Sequence, residues 1–590
     1  MNTDSSRKKK ILLIVLLLLI NVSLYIGTLQ YDFLKDDYRL IVENPRIKTF
    51  PAFIQSLGGK FFAFPDFPYL HYWRPLSLFS FFIDYQLWGL HPGGYHLFNI
   101  LLNGFNALLV FLLFLVVTRK LNYAFITALF FSLHPTHVEA AAWISGRTDL
   151  LSAFFLLAAI LCFTLFLKKK KTRYYILTAL AFLLALLSKE NGILFPLLAG
   201  ILVLITPAEE DTPKQTGNLK QILAGSWRKL LFTLPFWVMD IIYITFHNKF
   251  SAVGGVLSGF SISDSFVILK TIGAYARIIL LPFFPTPHFS MSYFDSHSLE
   301  FLVYFLLALL VLYVIYLKRE HYPYTLYSLL FFIFLLPVLD PEIVPSYPKI
   351  VIRFAYIPAL FAGIFFLESF KLLKSKQARR FFAGLLIFIA AIWAFESYSF
   401  QYYYKDQHAH YNGLLQYYQD DGSVLLPAAL MKAGDGQVRE ALALVSHALE
   451  INDLDPWLDV SEMGTLLKAN LLIISGQEEQ GRVLAEKIMG ETKKEDMTYF
   501  GFLILSKYHE KRGDLNRALQ FLKNAQTVGE TPDLFFRIAL VYAKMGAHKN
   551  ALLYLDTAIK QSPEAKKYLA LKQFIEQQMK TINQQKRGAE

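Results

Sequence analysis

Apolar runs of near-membrane length alternate with short polar clusters from residue 11 to residue 395, and then the long runs stop. Runs that approach or exceed roughly 18 apolar residues read as membrane-crossing helices. The pattern predicts eleven spans: 11–27, 94–117, 122–133, 150–167, 174–187, 192–205, 230–246, 299–316, 325–338, a run ending at 372, and 381–395. The segment 266–282 is also apolar but carries Lys270 and Arg277. A full crossing there would put the basic clusters 318–319 and 371–380 on the opposite side from those at 7–10 and 168–173, against the positive-inside rule. It is therefore expected to be re-entrant or surface-lying. The first span has a basic head and no small-residue cleavage site, so it reads as a retained anchor. The expected fold class is all-α, a polytopic membrane bundle.

Polar residues at regular intervals change that picture from lipid anchor to built interior. His96, Asn99, Asn103 and Asn106 follow each other by 3, 4 and 3 residues, which is one helix face. Such a stripe is costly against lipid and lines either a helix contact or a cavity. Asp240 lies inside a span and is a functional candidate or half of a buried ion pair. Ionisable groups gather again at His134-Pro135-Thr136-His137-Val138-Glu139 and at Arg147-Thr148-Asp149. Two histidines and a carboxylate are a common metal set, but this spacing matches no standard zinc motif. Just after the first span stands Asp36-Asp37. Adjacent carboxylates repel, which raises the proton affinity of one of them. At a membrane exit such a pair reads as a general base, a metal holder or a plain solvated loop. The stretch between it and the second span is rich in aromatics, as amphipathic pieces at a membrane interface are.

Composition agrees with the membrane reading: 55% of the 590 residues are hydrophobic and 16% are aromatic. The net charge of +12 sits in short clusters beside spans, a topology signal and no nucleic-acid footprint. The single cysteine, Cys162, excludes a disulfide framework within the chain. From about residue 404 the helical pattern becomes amphipathic and repetitive. Gly513, Ala518 and Ala525 recur 33 residues later as Gly546, Ala551 and Ala558, and Gly436, Ala441 and Ala448 keep the same internal steps. That period indicates a tetratricopeptide-like α-solenoid, with small residues letting paired helices approach closely. Two domains are expected, a transmembrane one over 1–403 and a repeat one over 404–590.

Several segments in this order resemble a known family. They are Asp36-Asp37 with Asn44-Pro45, Tyr72-Trp73-Arg74-Pro75-Leu76, Trp88-Gly89-Leu90 and His96-Leu97-Phe98-Asn99. His134 to Glu139, Trp143 to Arg147, Lys189-Glu190 and Arg353-Phe354-Ala355-Tyr356-Ile357-Pro358 complete the set. The chain resembles membrane glycosyltransferases of the GT-C superfamily that carry tetratricopeptide repeats, relatives of the protein O-mannosyltransferases. It departs from them at Tyr38 and at Val351-Ile352, where acidic residues are common in the family.

The resemblance implies inverting transfer of a sugar from a polyprenyl-phosphate donor to an acceptor hydroxyl. It implies Asp36 or Asp37 as base, with a slight preference for Asp37. Arg74, His96, His137, Arg147, Lys189 and Arg353 are the implied donor-phosphate ligands. Asn99, Glu139, Glu190 and Tyr356 are expected to orient them. No metal ligand is assigned, and a divalent cation is left open as a cofactor. The implied partners are the lipid-linked sugar, membrane lipid, and a peptide or protein acceptor held by the repeats, with no nucleic acid. The expected location is a bacterial inner membrane, with the site and repeats on the non-cytoplasmic side. A non-catalytic scaffold that recruits partners through its repeats is the rival reading, and a flippase for lipid-linked substrates is a third.

Overall fold

The computed structural model describes residues 3–57, 73–205, 227–250, 262–282, 289–290, 306, 309, 313, 333–336, 349–451, 460–561 and 565–587. Most of the eighth and ninth expected spans, the loop with Asp340 and Glu342, and most of the aromatic stretch before Arg74 lie outside the described residues. The chain divides after His410 into two compact units.

The first unit is helical. Its described helices are α1 (Thr3–Tyr25), α2 (Phe50–Leu57), α3 (Pro75–Trp88), α4 (Pro92–Thr118), α5 (Leu121–Leu133), α6 (Val138–Ala142), α7 (Arg147–Lys169), α8 (Thr172–Ser188), α9 (Phe195–Ile205), α10 (Leu234–Phe250), α11 (Ile262–Leu280), α12 (Leu360–Leu372) and α13 (Lys376–Phe400). Five helical stretches among the described residues are long and apolar enough to cross a membrane, those built on α1, α4, α7, α10 and α13. Helices α4 and α7 are the most buried of these, while α1, α10 and α13 keep most of their apolar surface outward. This division makes α4 and α7 the centre of the bundle and leaves the others a face for lipid. Phe163, Phe182, Phe195 and Phe236 interlock α7, α8, α9 and α10.

The ends of the bundle differ. At one end Lys168 of α7 donates to the Val116 carbonyl of α4 at 2.7 Å, and Lys371 of α12 lies over the Tyr123 ring of α5. Arg119 and Lys170, at the C-caps of α4 and α7, take left-handed φ of 56° and 58°. Cations there suit the negative ends of the helix dipoles. The opposite end holds the polar groups. The amide stripe of α4 is a helix contact: Asn99 donates to the Trp143 and Ile144 carbonyls, Asn103 to Asn21 of α1, and Asn106 to Leu150 and the Tyr356 hydroxyl. Asp240 is buried on α10, which packs on α8 and α9.

In helix α11, Ala274, Tyr275, Ala276, Ile278 and Ile279 are all buried, so its C-terminal half packs against protein. The Ile279 carbonyl accepts from His134 Nε2 at 2.9 Å, which sets this helix end at the polar end of the bundle. A two-residue antiparallel ladder, Phe289–Ser290 with Lys349–Ile350, is the strand pairing among the described residues.

The second unit follows the short helix α14 (Gln407–Leu415). It runs through α15 (Gly422–Gly434), α16 (Val438–Ile451), α17 (Val460–Ser475), α18 (Glu478–Glu491), α19 (Glu495–Lys511), α20 (Leu515–Val528), α21 (Pro532–Lys544), α22 (His548–Gln561) and α23 (Lys566–Arg587). Successive helices pack as pairs, and Ala441, Ala448, Ala518, Ala525, Ala551 and Ala558 are buried in the pair interfaces. The alanines thus do what their spacing predicted. The glycines do something else. Gly436, Gly513 and Gly546 have open space around them and φ of 73–78°, so they serve the turn between helices, where an L side chain is strained.

Candidate functional site

The loop after α1 is held by one carboxylate. Asp37 is fully buried and accepts from the Leu34 N–H at 2.9 Å, the Ser145 N–H at 2.8 Å and the Ser145 hydroxyl. Trp143 Nε1 donates to the Leu34 carbonyl at 3.0 Å, closing the same clamp. Within it Lys35 takes a left-handed φ of 51°, and its ammonium lies 5.8 Å from the centre of the Trp143 ring. Gly146 is required where the clamp meets α6, because a Cβ there would stand 2.6 Å from the Ala140 carbonyl oxygen. Burial pushes the Asp37 carboxyl up to about 7, although the Ser145 and Leu34 hydrogen bonds pull it down. Asp36 is exposed. The loop therefore separates the two neighbours: Asp37 fastens it, and Asp36 is presented.

Beside this loop lies a chain of ion pairs from distant segments. Arg353 donates Nη1 to Glu139 Oε1 at 2.5 Å and its backbone N–H to Glu139 Oε2 at 2.9 Å. Its Nε stands 3.4 Å from Asp149 Oδ2, and its guanidinium stacks over Trp143 at 5.1 Å. Asp149 Oδ1 accepts from Lys189 Nζ at 2.5 Å. Glu190 binds Arg74 in a bidentate pair, 2.9 Å at both Nε and Nη2. Burial works against the Arg353 charge, but Glu139 and Asp149 outweigh it and hold the guanidinium above its ordinary value, and Asp36 adds to the effect. Burial brings the Lys189 ammonium down to about 8 against the pull of Asp149.

The structure brings Asp36, Arg74, Glu139, Lys189, Glu190 and Arg353 to this end of the bundle. It corrects other expectations. Asp37 is buried with both oxygens occupied, so it is no accessible base. Arg147 is not open to a phosphate: it is 0% exposed, paired with Asp84 at 2.5 Å, and spends Nε on Asn99 and Nη2 on the Tyr95 carbonyl. His96 is buried beside Tyr31, and His137 is buried with its Nε2–H on the Tyr356 carbonyl. Burial holds His137 well below its ordinary range. Tyr356 donates to Asn103 and anchors the segment that carries Arg353. His134 and His137 spend ring N–H groups on carbonyls, and no three His, Cys, Asp or Glu side chains among the described residues gather to hold a metal.

Sequence reasoning missed Ser145, Asp84 and Asp149 as partners. Asp84 carried a usable signal, since one carboxylate in the apolar stretch of α3 requires a buried cation. Ser145 carried none. A cavity of about 20 Å³ opens between Asp149, Ser152, Asn191, Arg353 and the ring of Phe354.

A family model for dolichyl-phosphate-mannose-protein mannosyltransferases matches residues 95–238. The chain is 29% identical over 261 residues to the protein O-mannosyl-transferase Tmtc1 of Drosophila melanogaster, covering 44% of this chain and 27% of that one. It is 32% identical over 160 residues to the human protein O-mannosyl-transferase TMTC2, covering 26% and 18%. The solved structure of YrrB, a TPR protein with an unusual peptide-binding site, aligns with 28% of this chain and 97% of its own at 17% identity and a TM-score of 0.14. The chain thus spans about a quarter or less of the length of these curated relatives. Over part of its length it is similar to protein O-mannosyltransferases of the transmembrane and tetratricopeptide repeat-containing kind, the resemblance its motifs indicated.

Proposed function

We propose that this chain transfers a hexose from a polyprenyl-phosphate donor to an acceptor hydroxyl, with inversion, at the polar end of its helix bundle. The observation that carries the reading is the clamp that buries Asp37 and presents Asp36 beside Arg353. An acceptor oxygen must lose a proton as it attacks, and an exposed, fixed carboxylate suits that task. Asp36 is therefore the base and Asp37 the residue that positions it. Arg353, Lys189 and Arg74 are the cations left to face the charge that builds on the leaving phosphate.

The polar end faces the non-cytoplasmic side in this proposal. The basic clusters at the opposite end support that orientation. Eleven spans, a bacterial plasma membrane and a tetratricopeptide solenoid that holds a protein acceptor belong to the same proposal. One observation favours the scaffold reading instead: Arg74, Lys189 and Arg353 are balanced by Glu190, Asp149 and Glu139, which leaves little net charge for an anion.

The test is transfer from a polyprenyl-phosphate hexose by full-length protein in membranes. Asp36→Asn is expected to lower transfer by about 10²- to 10⁴-fold, with unfolding unchanged. Transfer at the wild-type rate by a folded Asp36→Asn protein removes the base assignment. No transfer by the wild type from any donor favours the scaffold.

A further inference from the structure

The repeat helices share a face whose charges the transfer chemistry does not use. Three contacts tie the first helix of one pair to the first helix of the next. Lys507 of α19 donates to Asn470 of α17 at 3.2 Å, Lys544 of α21 to Glu510 of α19 at 2.5 Å, and Lys567 of α23 to Asp533 of α21 at 2.7 Å. These helices therefore stand side by side and build one continuous face, as stacked repeats do. On α19 it runs through Leu503, Lys507 and Lys511, and on α21 through Arg537, Leu540 and Lys544. Steps of three and four residues keep each row on one side of its helix.

The charges on this face are unevenly matched. Lys544 has Glu510, and Lys511 lies 3.5 Å from Glu478. Asp533 serves two cations, Arg537 at 2.8 Å and Lys567 at 2.7 Å. Lys507 is partnered by the Asn470 amide and not by a carboxylate. Burial first, then Arg537 and Lys511, push the Lys507 ammonium down, so cations crowd it. Arg537 is 46% exposed, and Leu503 and Leu540 are half-buried among the cations. A carboxylate placed by Lys507 and Arg537 gains charge-assisted hydrogen bonds from both. An extended acidic peptide offers carboxylates and apolar side chains at short intervals, the same alternation as the face. A polynucleotide would bring the charge but nothing for the two leucines.

We propose that the face shared by α19 and α21 binds an acidic peptide segment, with one of its carboxylates held by Lys507 and Arg537 and its apolar side chains on Leu503 and Leu540. The proposal rests on the reading above that the repeats hold a protein acceptor, and it gives that acceptor a chemistry. Peptide binding is read apart from sugar transfer, so either can fail without the other.

The test measures fluorescence anisotropy of a labelled peptide of Glu-Leu-Ser repeats with full-length protein in detergent. The same peptide with Gln for Glu is its uncharged counterpart. The Glu peptide is expected to bind about 10-fold or more tighter, the range of a hydrogen bond to a charged group. Lys507→Ala should weaken the Glu peptide by about 10-fold and leave the Gln peptide unchanged, and Lys507→Arg should keep most of the affinity. Lys560→Ala, at an exposed lysine on the second helix α22, should change neither. Thermal unfolding checks that each variant folds, and Arg537→Gln carries the same test if Lys507→Ala does not. Equal affinity for the two peptides, or no binding of either, overturns the proposal. So does an equal loss in Lys560→Ala, which would mean a diffuse charge effect. Binding of phosphatidylglycerol vesicles through Lys507, without binding of the peptide, overturns it in favour of a membrane contact.

Discussion

Two arginines at the same end of the bundle show how alike a structural and a chemical site look in a sequence. Arg147 and Arg353 are each flanked by motif residues and each meets acidic partners. Arg147 has no exposure. Asp84, Asn99 and the Tyr95 carbonyl take its donors, and Phe81 and Phe98 cover its faces at 4.8 and 4.5 Å. Arg353 keeps 24% of its side chain exposed, shares two carboxylates and borders a cavity of about 20 Å³. A network with every donor spent inside the protein fastens helices. A network with an open side can exchange a partner for a ligand. Conservative reading of charge alone does not separate the two; completeness of the hydrogen bonding does.

The largest expected effect breaks the closed network. Asp84→Ala leaves a buried guanidinium uncompensated and should cost about 3–5 kcal/mol of stability. Thermal unfolding in detergent, followed by tryptophan fluorescence, measures it. A folded Asp84→Ala protein of wild-type stability that loses only transfer would erase the distinction drawn between the two arginines.

The clamp gives the next effect, and its sign follows from Asp37. Its folded pKa of about 7 lies above the ordinary carboxylate value, so the folded chain binds the extra proton between roughly pH 4 and 7. This group's contribution therefore weakens stability as pH rises through that window and levels off above it. Asp37→Asn should abolish that part of the slope. Ser145→Ala removes a donor to the ionised form, so the upper edge should move upward by about one to two pH units. Unfolding free energies measured across pH 4–9 for the three proteins supply the check. An unchanged slope in Asp37→Asn would mean that the clamp does not titrate.

Much of this arrangement was legible before the structure. The period of 33 residues and its alanines predicted buried pair interfaces, because helix packing at close range accepts only small side chains. The stripe on α4 predicted a helix contact or a cavity lining, because its spacing follows helix geometry alone, and it proved to be a contact. Lys189 with Glu190 showed only charges. Each turned to a different partner, Lys189 to Asp149 and Glu190 to Arg74, and no local spacing encodes contacts made across more than a hundred residues or between separate helices. The choice between Asp36 and Asp37 was hidden for a related reason. It depends on the left-handed turn at Lys35 and on Ser145, which reaches Asp37 from 108 residues away. The turn glycines were misread because their spacing fits close packing and turn geometry equally well.

The smallest effect comes from the repeat unit, where ion pairs have neither a closed nor a half-open interior. Lys544 meets Glu510 at 2.5 Å between α21 and α19, with the lysine 54% exposed. Water and salt screen such a pair, and holding two long side chains in register costs entropy. Lys544→Ala should therefore change stability by less than about 1 kcal/mol, and that difference should vanish at 1 M salt. Urea unfolding of the full chain at low and high salt measures it. A loss comparable to that of Asp84→Ala would mean that exposure does not grade these pairs, and the contrast between Arg147 and Arg353 would then need another physical cause.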